Sequence, residues 1–332
     1  MDRKLQWHEY ITINIHYLGI STVTGSVTPL LLPFIVALLV APGQKNTDLA
    51  TIRKISLAVA MAAQPLAGLL SDRCTLRWGR RRPYIAAGTL LSTIFLLLVG
   101  VAPGLAADTV GGKSAAAGSA SKAYMVLLLG IVLWQAASNL SQGALQGLIP
   151  DLVPESRRGR ASGTKAVLEL LPILPIVFIG RLIDAGQIWL ILGFILGLQF
   201  ITMLITVVFV HEEPLRQKPT EPARPLALRL VALTAIFVIV TEAAEWMADA
   251  VGALMSGQPD ASALRLWVAG LAGLAGMTSA ILGGVYLGAR VGIGPEARQY
   301  PSFIWWVIAR LLFLAAVGSI QGFLLFFLVD VH

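Results

Sequence analysis

Asp72 to Arg82 holds five arginines and one aspartate within eleven residues, in a chain of which only 13% is charged. Guanidinium groups make bidentate bonds to carboxylates and satisfy the free carbonyls at helix C-termini, so such a cluster is equipped to form a reversible ionic latch. Gly68, just before it, leaves room for close approach of another helix. The plainer alternative is that the arginines only hold their loop on one side of a membrane. A second basic segment, "NLSQGALQGLIPDLVPESRRGRASG" over residues 139–163, sets Asp151 ahead of Arg157, Arg158 and Arg160.

A different chemistry lies in two uncharged polar stripes. Gln135, Asn139, Gln142 and Gln146 fall at i, i+4, i+7 and i+11, which puts all four amides on one helical face. Tyr17, Ser21, Thr24 and Thr28 repeat that spacing earlier in the chain. The stripes either line a polar cavity or glue helices together by hydrogen bonds. Of the acids in apolar surroundings, Glu169 in "KAVLELLPILP" is the best proton-carrying candidate, because a carboxyl kept from water holds its proton. The alternative is an ion pair with Lys165, four residues earlier. His16 and Arg310 are weaker candidates, read more simply as a hydrogen-bonded packing residue and a snorkelling or paired cation.

The elements that must position these residues are membrane helices. Hydrophobic residues make up 56% of the 332 positions, mean hydropathy is +0.77, and apolar runs of about 20 residues recur. The runs are unbroken and rich in Leu, Ala, Ile, Val and Gly, which excludes the alternating pattern of a membrane barrel. Nine spans are expected, near 11–41, 51–71, 84–103, 123–149, 165–183, 187–210, 227–250, 264–288 and 303–329. Pro29 and Pro33 predict a bend in the long first span. With the N-terminus in the cytoplasm, the inner segments hold 17 Lys and Arg against seven outside, so that orientation is expected in a plasma or inner cell membrane. The same basic loops, facing the lipid bilayer, account for the net charge of +7 and exclude any need for nucleic acid. Cys74 is the single cysteine, leaving no intrachain disulfide or cysteine metal cluster, and the sequence has no Walker-type loop to suggest direct ATP drive. No cofactor and no metal are expected.

Four prolines in "HEEPLRQKPTEPARP" mark residues 211–225 as a linker after six spans, and "APGLAADTVGGKSAAAGSASK" reads as a small-residue outer loop. The seventh span ends in Glu242, Glu245 and Asp249, and the eighth carries Gly270, Gly273, Gly276, Gly284 and Gly288, suited to helix contact.

"GLLSDRCTLRWGRRRPYI" and the 139–163 segment together resemble the signatures of the major facilitator superfamily, in the form found in sucrose/proton symporters and the related glycoside-pentoside-hexuronide transporters. The resemblance implies an all-α polytopic membrane fold, with a six-helix N-terminal bundle plus three further transmembrane helices, and no enzyme activity. It divides the chain into a bundle at 1–210, a cytoplasmic linker at 211–226, two additional helices at 227–288, and the first helix of an incomplete C-terminal bundle at 289–332. It implies a secondary transporter for a small polar solute, a sugar or glycoside, working by alternating access between two rocking bundles. Gly68, Asp72, Arg73, Gly79, Arg80 and Arg81 map onto its cytoplasmic gate, and Asp151, Arg157, Arg158 and Arg160 onto the matching second loop. Helices one and four line the central cavity in such transporters, so Tyr17, Ser21, Thr24, Gln135, Asn139, Gln142 and Gln146 are the expected solute contacts. Amides, hydroxyls and an aromatic ring suit a neutral polyol.

The sequence departs from the resemblance at the coupling site. Sucrose symporters carry an acid and an arginine in the fourth helix where this chain has Gln135 and Gln146, and the sodium-site aspartates of melibiose-type carriers are missing, which leaves Glu169 as the proton candidate. The competing expectation is a non-transporting receptor or assembly protein built on half a transporter.

Overall fold

The structure, a computed structural model, describes residues 6–41, 43–107, 116–215, 222–256, 262–292 and 294–313. The chain divides into two compact units, Met1–Ala223 and Arg224–His332. Among the described residues every regular element is helical. Seven helical segments are long and apolar enough to cross a membrane: Trp7–Leu39, Lys45–Asp72, Arg82–Ala106, Lys122–Leu152, Ile188–Phe209, Ala223–Ala243 and Gly270–Gly292. The chain is a multi-pass, all-α membrane protein.

The first span is built from α1 (Trp7–Ser26) and α2 (Leu32–Leu39), joined by a π-helical turn at Val27–Leu31. Proline explains the turn. Leu32 N–H donates to Val27 O rather than to Thr28 O, and Pro33, next in line to reach Thr28 O, has no N–H. Arg53 of α3 (Lys45–Asp72) fills the vacancy, donating from Nη2 to Thr28 O at 3.1 Å. The expected bend is therefore a register shift whose spare carbonyl is satisfied from a neighbouring helix.

Next come α4 (Arg82–Ala107), α5 (Ala116–Gln146), the short α6 (Leu148–Leu152), a 3₁₀ turn at Glu155–Arg157, α7 (Arg158–Leu170), α8 (Ile173–Asp184) and α9 (Ile188–Phe209). The fifth expected span is thus two short helices of 13 and 12 residues. The break falls at Leu171–Pro172, where proline removes a donor and crowds the preceding turn.

Within the first unit α5 packs against both α4 and α3, while α1 packs against α9 and α7. These contacts rest on small residues, since helices in lipid gain from close packing rather than from exclusion of water. A Cβ at Gly143 would stand 2.4 Å from Gln64 O of α3, and one at Gly88 of α4 would stand 2.5 Å from Ser141 N of α5. Gly68, expected to receive another helix, has nothing within 4 Å of the corresponding point among the described residues, so its side is open in this unit.

Where the helices converge, His16 is fully buried. Its Nδ1 lies 3.3 Å from Thr202 Oγ1, and its Nε2 lies 3.0 Å from Thr89 Oγ1 and 3.1 Å from Ser141 Oγ. One ring thereby ties α1 to α4, α5 and α9. Large apolar side chains such as Leu57, Ile94, Phe178, Trp189 and Phe209 point outward, as a lipid-facing surface requires.

The second unit holds α10 (Ala223–Ser256), α11 (Ser262–Gly292), a 3₁₀ turn at Gly294–Gln299 and α12 (Pro301–Phe313). Of the glycines expected to support contact, Gly284 and Gly288 face Val240 and Leu233 of α10, whereas Gly270, Gly273 and Gly276 have open space beside them. Arg310 lies 5.5 Å from the Trp306 ring centre, a cation–π pairing one turn apart. Residues 314–332 of the ninth expected span, 108–115 of the outer loop, 216–221 of the linker, and the side chains of Glu245 and Asp249 lie outside the described residues.

Gly143→Ala should lower stability by about 1–3 kcal/mol, because backbone blocks the added methyl. Gly197→Ala on α9, with nothing within 4 Å, should cause no loss. Thermal unfolding of the two variants in the same detergent checks the difference.

Candidate functional site

Arg81 is 6% exposed and bonds through all three guanidinium nitrogens. Nε donates to Asp151 Oδ2 at 3.0 Å, Nη1 to Ser71 Oγ at 2.6 Å and to Gly68 O at 3.4 Å, and Nη2 pairs with Asp72. Arg80 adds a second pairing to Asp151. The guanidinium thus joins the C-terminus of α3 to the end of α6 from the loop before α4. Its position depends on Gly147, where a Cβ would stand 2.3 Å from Arg81 Cζ.

The backbone completes the cluster. Glu212, three residues past α9, accepts the N–H groups of Arg81 at 2.9 Å and Arg82 at 3.1 Å through Oε2, placing a carboxylate at the N-terminus of α4 where the helix field favours it. Gly79 permits this, with φ of 105° and no Cβ to strike the Glu212 side chain 2.5 Å away. Burial pushes the Glu212 carboxyl above its ordinary 4.5, against the pull of the two backbone donors and the Arg81 charge, while the Asp151 charge adds to the rise.

Of the residues expected at the latch, Gly68, Asp72, Gly79, Arg80, Arg81 and Asp151 meet here. Arg73 is the residue that ends α3. Arg158 turns instead to its own segment, donating to Pro150 O at 3.1 Å and pairing with Glu155 at 3.8 Å. Arg157 lies in the 3₁₀ turn and Arg160 is exposed on α7. Sequence reading missed Glu212, Ser71 and Gly147. Glu212 falls in the segment "HEEPLRQKPTEPARP", read from the sequence only as a linker.

Each polar stripe lies on an arc of its own helix between the directions of that helix's packed neighbours. On α1, His16 and Gly19 face α9, and Asn14 donates to Ala161 O of α7 at 3.3 Å. Tyr17, Ser21, Thr24 and Thr28 fall on the arc between those directions. On α5, Ala137 and Ser141 face α4 and Gly143 faces α3. Gln135, Asn139, Gln142 and Gln146 lie on the remaining arc, between α3 and the α1-facing Ser141. Thr24 and Gln146 are exposed, Ser21, Thr28, Gln135 and Gln142 are half-buried, and Asn139 is buried. Asn139 Nδ2 donates to Gln135 O of its own helix at 2.8 Å. Among the described residues no hydrogen bond ties this stripe to another helix.

Tyr17 is 1% exposed within a packed cluster that includes Ile13, Ile20 and Leu145, and Lys165 Nζ sits over its ring, 4.4 Å from the centre. Lys165 also lies 3.5 Å from Glu169 Oε1, the ion pair set out above as the alternative for that acid.

The pattern that defines the family described as MFS/sugar transport protein matches residues 27–248, more than half of the chain. The chain belongs to that family. The sucrose transport protein SUT1 of Oryza sativa subsp. japonica is 37% identical over 105 residues, 31% of this chain and 20% of the relative. The sucrose transport proteins SUC3 and SUC4 of Arabidopsis thaliana are 31% identical over 105 residues and 36% over 97, covering 31% and 29% of this chain and 18% of each relative. The matched segments span about a fifth of the length of these curated relatives. The members of the MFS/sugar transport family are carriers rather than enzymes.

For this MFS-family chain, Glu212 carries a pH dependence of definite sign. Because its folded-state pKa is raised, its contribution to stability is greatest below the ordinary 4.5 and is lost as pH rises through the raised value. The stability of the protein relative to Glu212→Gln should therefore increase as pH falls from 7 towards 4.5, as read by paired unfolding curves. A difference that does not change with pH would contradict the burial of this carboxyl.

Proposed function

We propose that the chain supplies the first bundle of a secondary active transporter that moves a small polar solute, a sugar or glycoside, by alternating access with proton coupling. On this reading residues 1–210 are the bundle, 211–226 a cytoplasmic linker, 227–288 two additional helices and 289–332 the start of a second bundle, in a plasma or inner cell membrane with the N-terminus inside. The observation that carries it is the pair of uncharged polar stripes on α1 and α5, with amides that, among the described residues, are left unbonded to neighbouring helices. A cavity that releases its contents cannot bind them by fixed charge alone, and neutral amides and hydroxyls match the donors and acceptors of a polyol. The relatives' description as sucrose transport proteins makes sucrose the first solute to test.

The Arg81 cluster serves as the cytoplasmic latch. Its acids hold the loop between α3 and α4 in one shape, and the exposed Asp72 and half-buried Arg80 are the members able to exchange partners with an opposing surface. Glu169 is the coupling acid: it is half-exposed on the α7 face that meets Tyr17, where water and solute reach it and where Lys165 balances its charge.

Two measurements test this. In the intact protein, reconstituted in proteoliposomes, Asp72→Asn should slow sucrose turnover severalfold with little change in apparent affinity, since it alters a contact belonging to one conformational state. Unchanged turnover would leave the arginines as topology signals. Glu169→Gln should keep solute exchange but abolish accumulation driven by a pH gradient, because a permanently neutral side chain carries no proton. Accumulation that survives would exclude Glu169.

A further inference from the structure

The aromatic face that a sugar would use is already occupied. Tyr17 stands at the head of the α1 stripe, yet its ring is covered by the Lys165 ammonium at 4.4 Å, and its buried hydroxyl has no hydrogen-bond partner among the described residues. Lys165 is itself only loosely held. Its distance to Glu169, 3.5 Å, is long for a charge-assisted hydrogen bond, and the two side chains keep 26% and 37% of their exposure. An ammonium has three donors, and a ring face and one distant carboxylate leave it donors to spare. The pair is electrically balanced, so it offers a donor and an acceptor side by side without a net field that would draw an ion.

Resting on the sugar-transport reading, we propose that Lys165 and Glu169 form a specificity-determining pair that reads adjacent hydroxyls of a neutral sugar. The Lys165 ammonium donates to one hydroxyl oxygen, and the Glu169 carboxyl accepts from its neighbour. The preferred solute class is a neutral vicinal diol. A sugar acid would bring its carboxylate against Glu169 and is disfavoured.

The test is equilibrium binding of labelled sucrose to the intact protein in proteoliposomes, with an unlabelled deoxy analogue and a glucuronide as competitors. Lys165→Met keeps the apolar stem over Tyr17 and removes the charge. It should weaken sucrose binding about 10-fold or more, the size expected for a hydrogen bond to a charged donor. The loss should shrink for the analogue lacking the hydroxyl that is read, and Lys165→Arg should restore part of the affinity. The glucuronide should compete poorly in the unsubstituted protein and better in Glu169→Gln. In the unsubstituted protein, sucrose should also slow acylation of Lys165, followed by peptide mass mapping, which tests the contact even if Lys165→Met fails to fold. Equal sucrose affinity in Lys165→Met, no protection of Lys165, or a preference for the glucuronide overturns the pair assignment while leaving sugar transport standing. Absence of binding to every sugar offered overturns the transport reading and this proposal with it.

Discussion

A single guanidinium organises the basic end of the first unit. Arg81 is nearly buried, and removing a cation from water is tolerable only when every donor is matched and the charge is answered. Two aspartates, a serine hydroxyl and a helix-end carbonyl meet that demand. The matched donors fix two segments: the last turn of α3 through Ser71 and Asp72, and the end of α6 through Asp151. The backbone N–H of the same residue receives Glu212, which adds the exit of α9. The loop between α3 and α4 therefore has a defined shape despite lying between two membrane helices, and Gly79 and Gly147 are the two positions where that shape leaves no room for a side chain.

Deeper in the unit the same accounting is done with neutral groups. His16 takes its partners from hydroxyls, which donate or accept as required, so the ring is satisfied in either tautomer. Thr22, Ser26, Ser56 and Thr93 close onto carbonyls of their own helices one turn back, so their burial places no demand on a neighbour. On the striped face of α5, Asn139 closes onto Gln135 O in the same way, while the buried Tyr17 hydroxyl of the α1 stripe has no partner among the described residues.

The fold class was legible because apolar runs of spanning length are hard to mistake, and the arginine cluster announced itself by its density in a chain otherwise poor in charge. The amide stripe was legible for a related reason: a helical repeat of side chains that lipid does not accept must face something else. The break in the fifth span was hidden although its cause, Pro172, is plain in the sequence, because hydropathy averages over a proline while the helix cannot. Glu212 was hidden more deeply. Its partners are backbone N–H groups 131 and 130 residues earlier, and no spacing rule connects an acid after one helix to the first turn of another. The two readings of Glu169 were both present in the sequence, and geometry realises the ion pair because Lys165 lies one turn away on the same face. What no pattern carried was the height of Lys165 above Tyr17, which depends on how closely α7 settles against α1.

The π-turn at Val27–Leu31 bears on how the first two spans are held together. A first span threaded alone would bring the Thr28 carbonyl into hydrocarbon without a partner, since proline has removed the donor that its own helix would supply and lipid offers none. That oxygen is completed by Arg53, on the strand of chain that arrives next. The basic head of Arg53 gains as well, since it finds an acceptor there. In the folded unit the first two spans are therefore joined at a backbone group that neither the first helix nor lipid can satisfy.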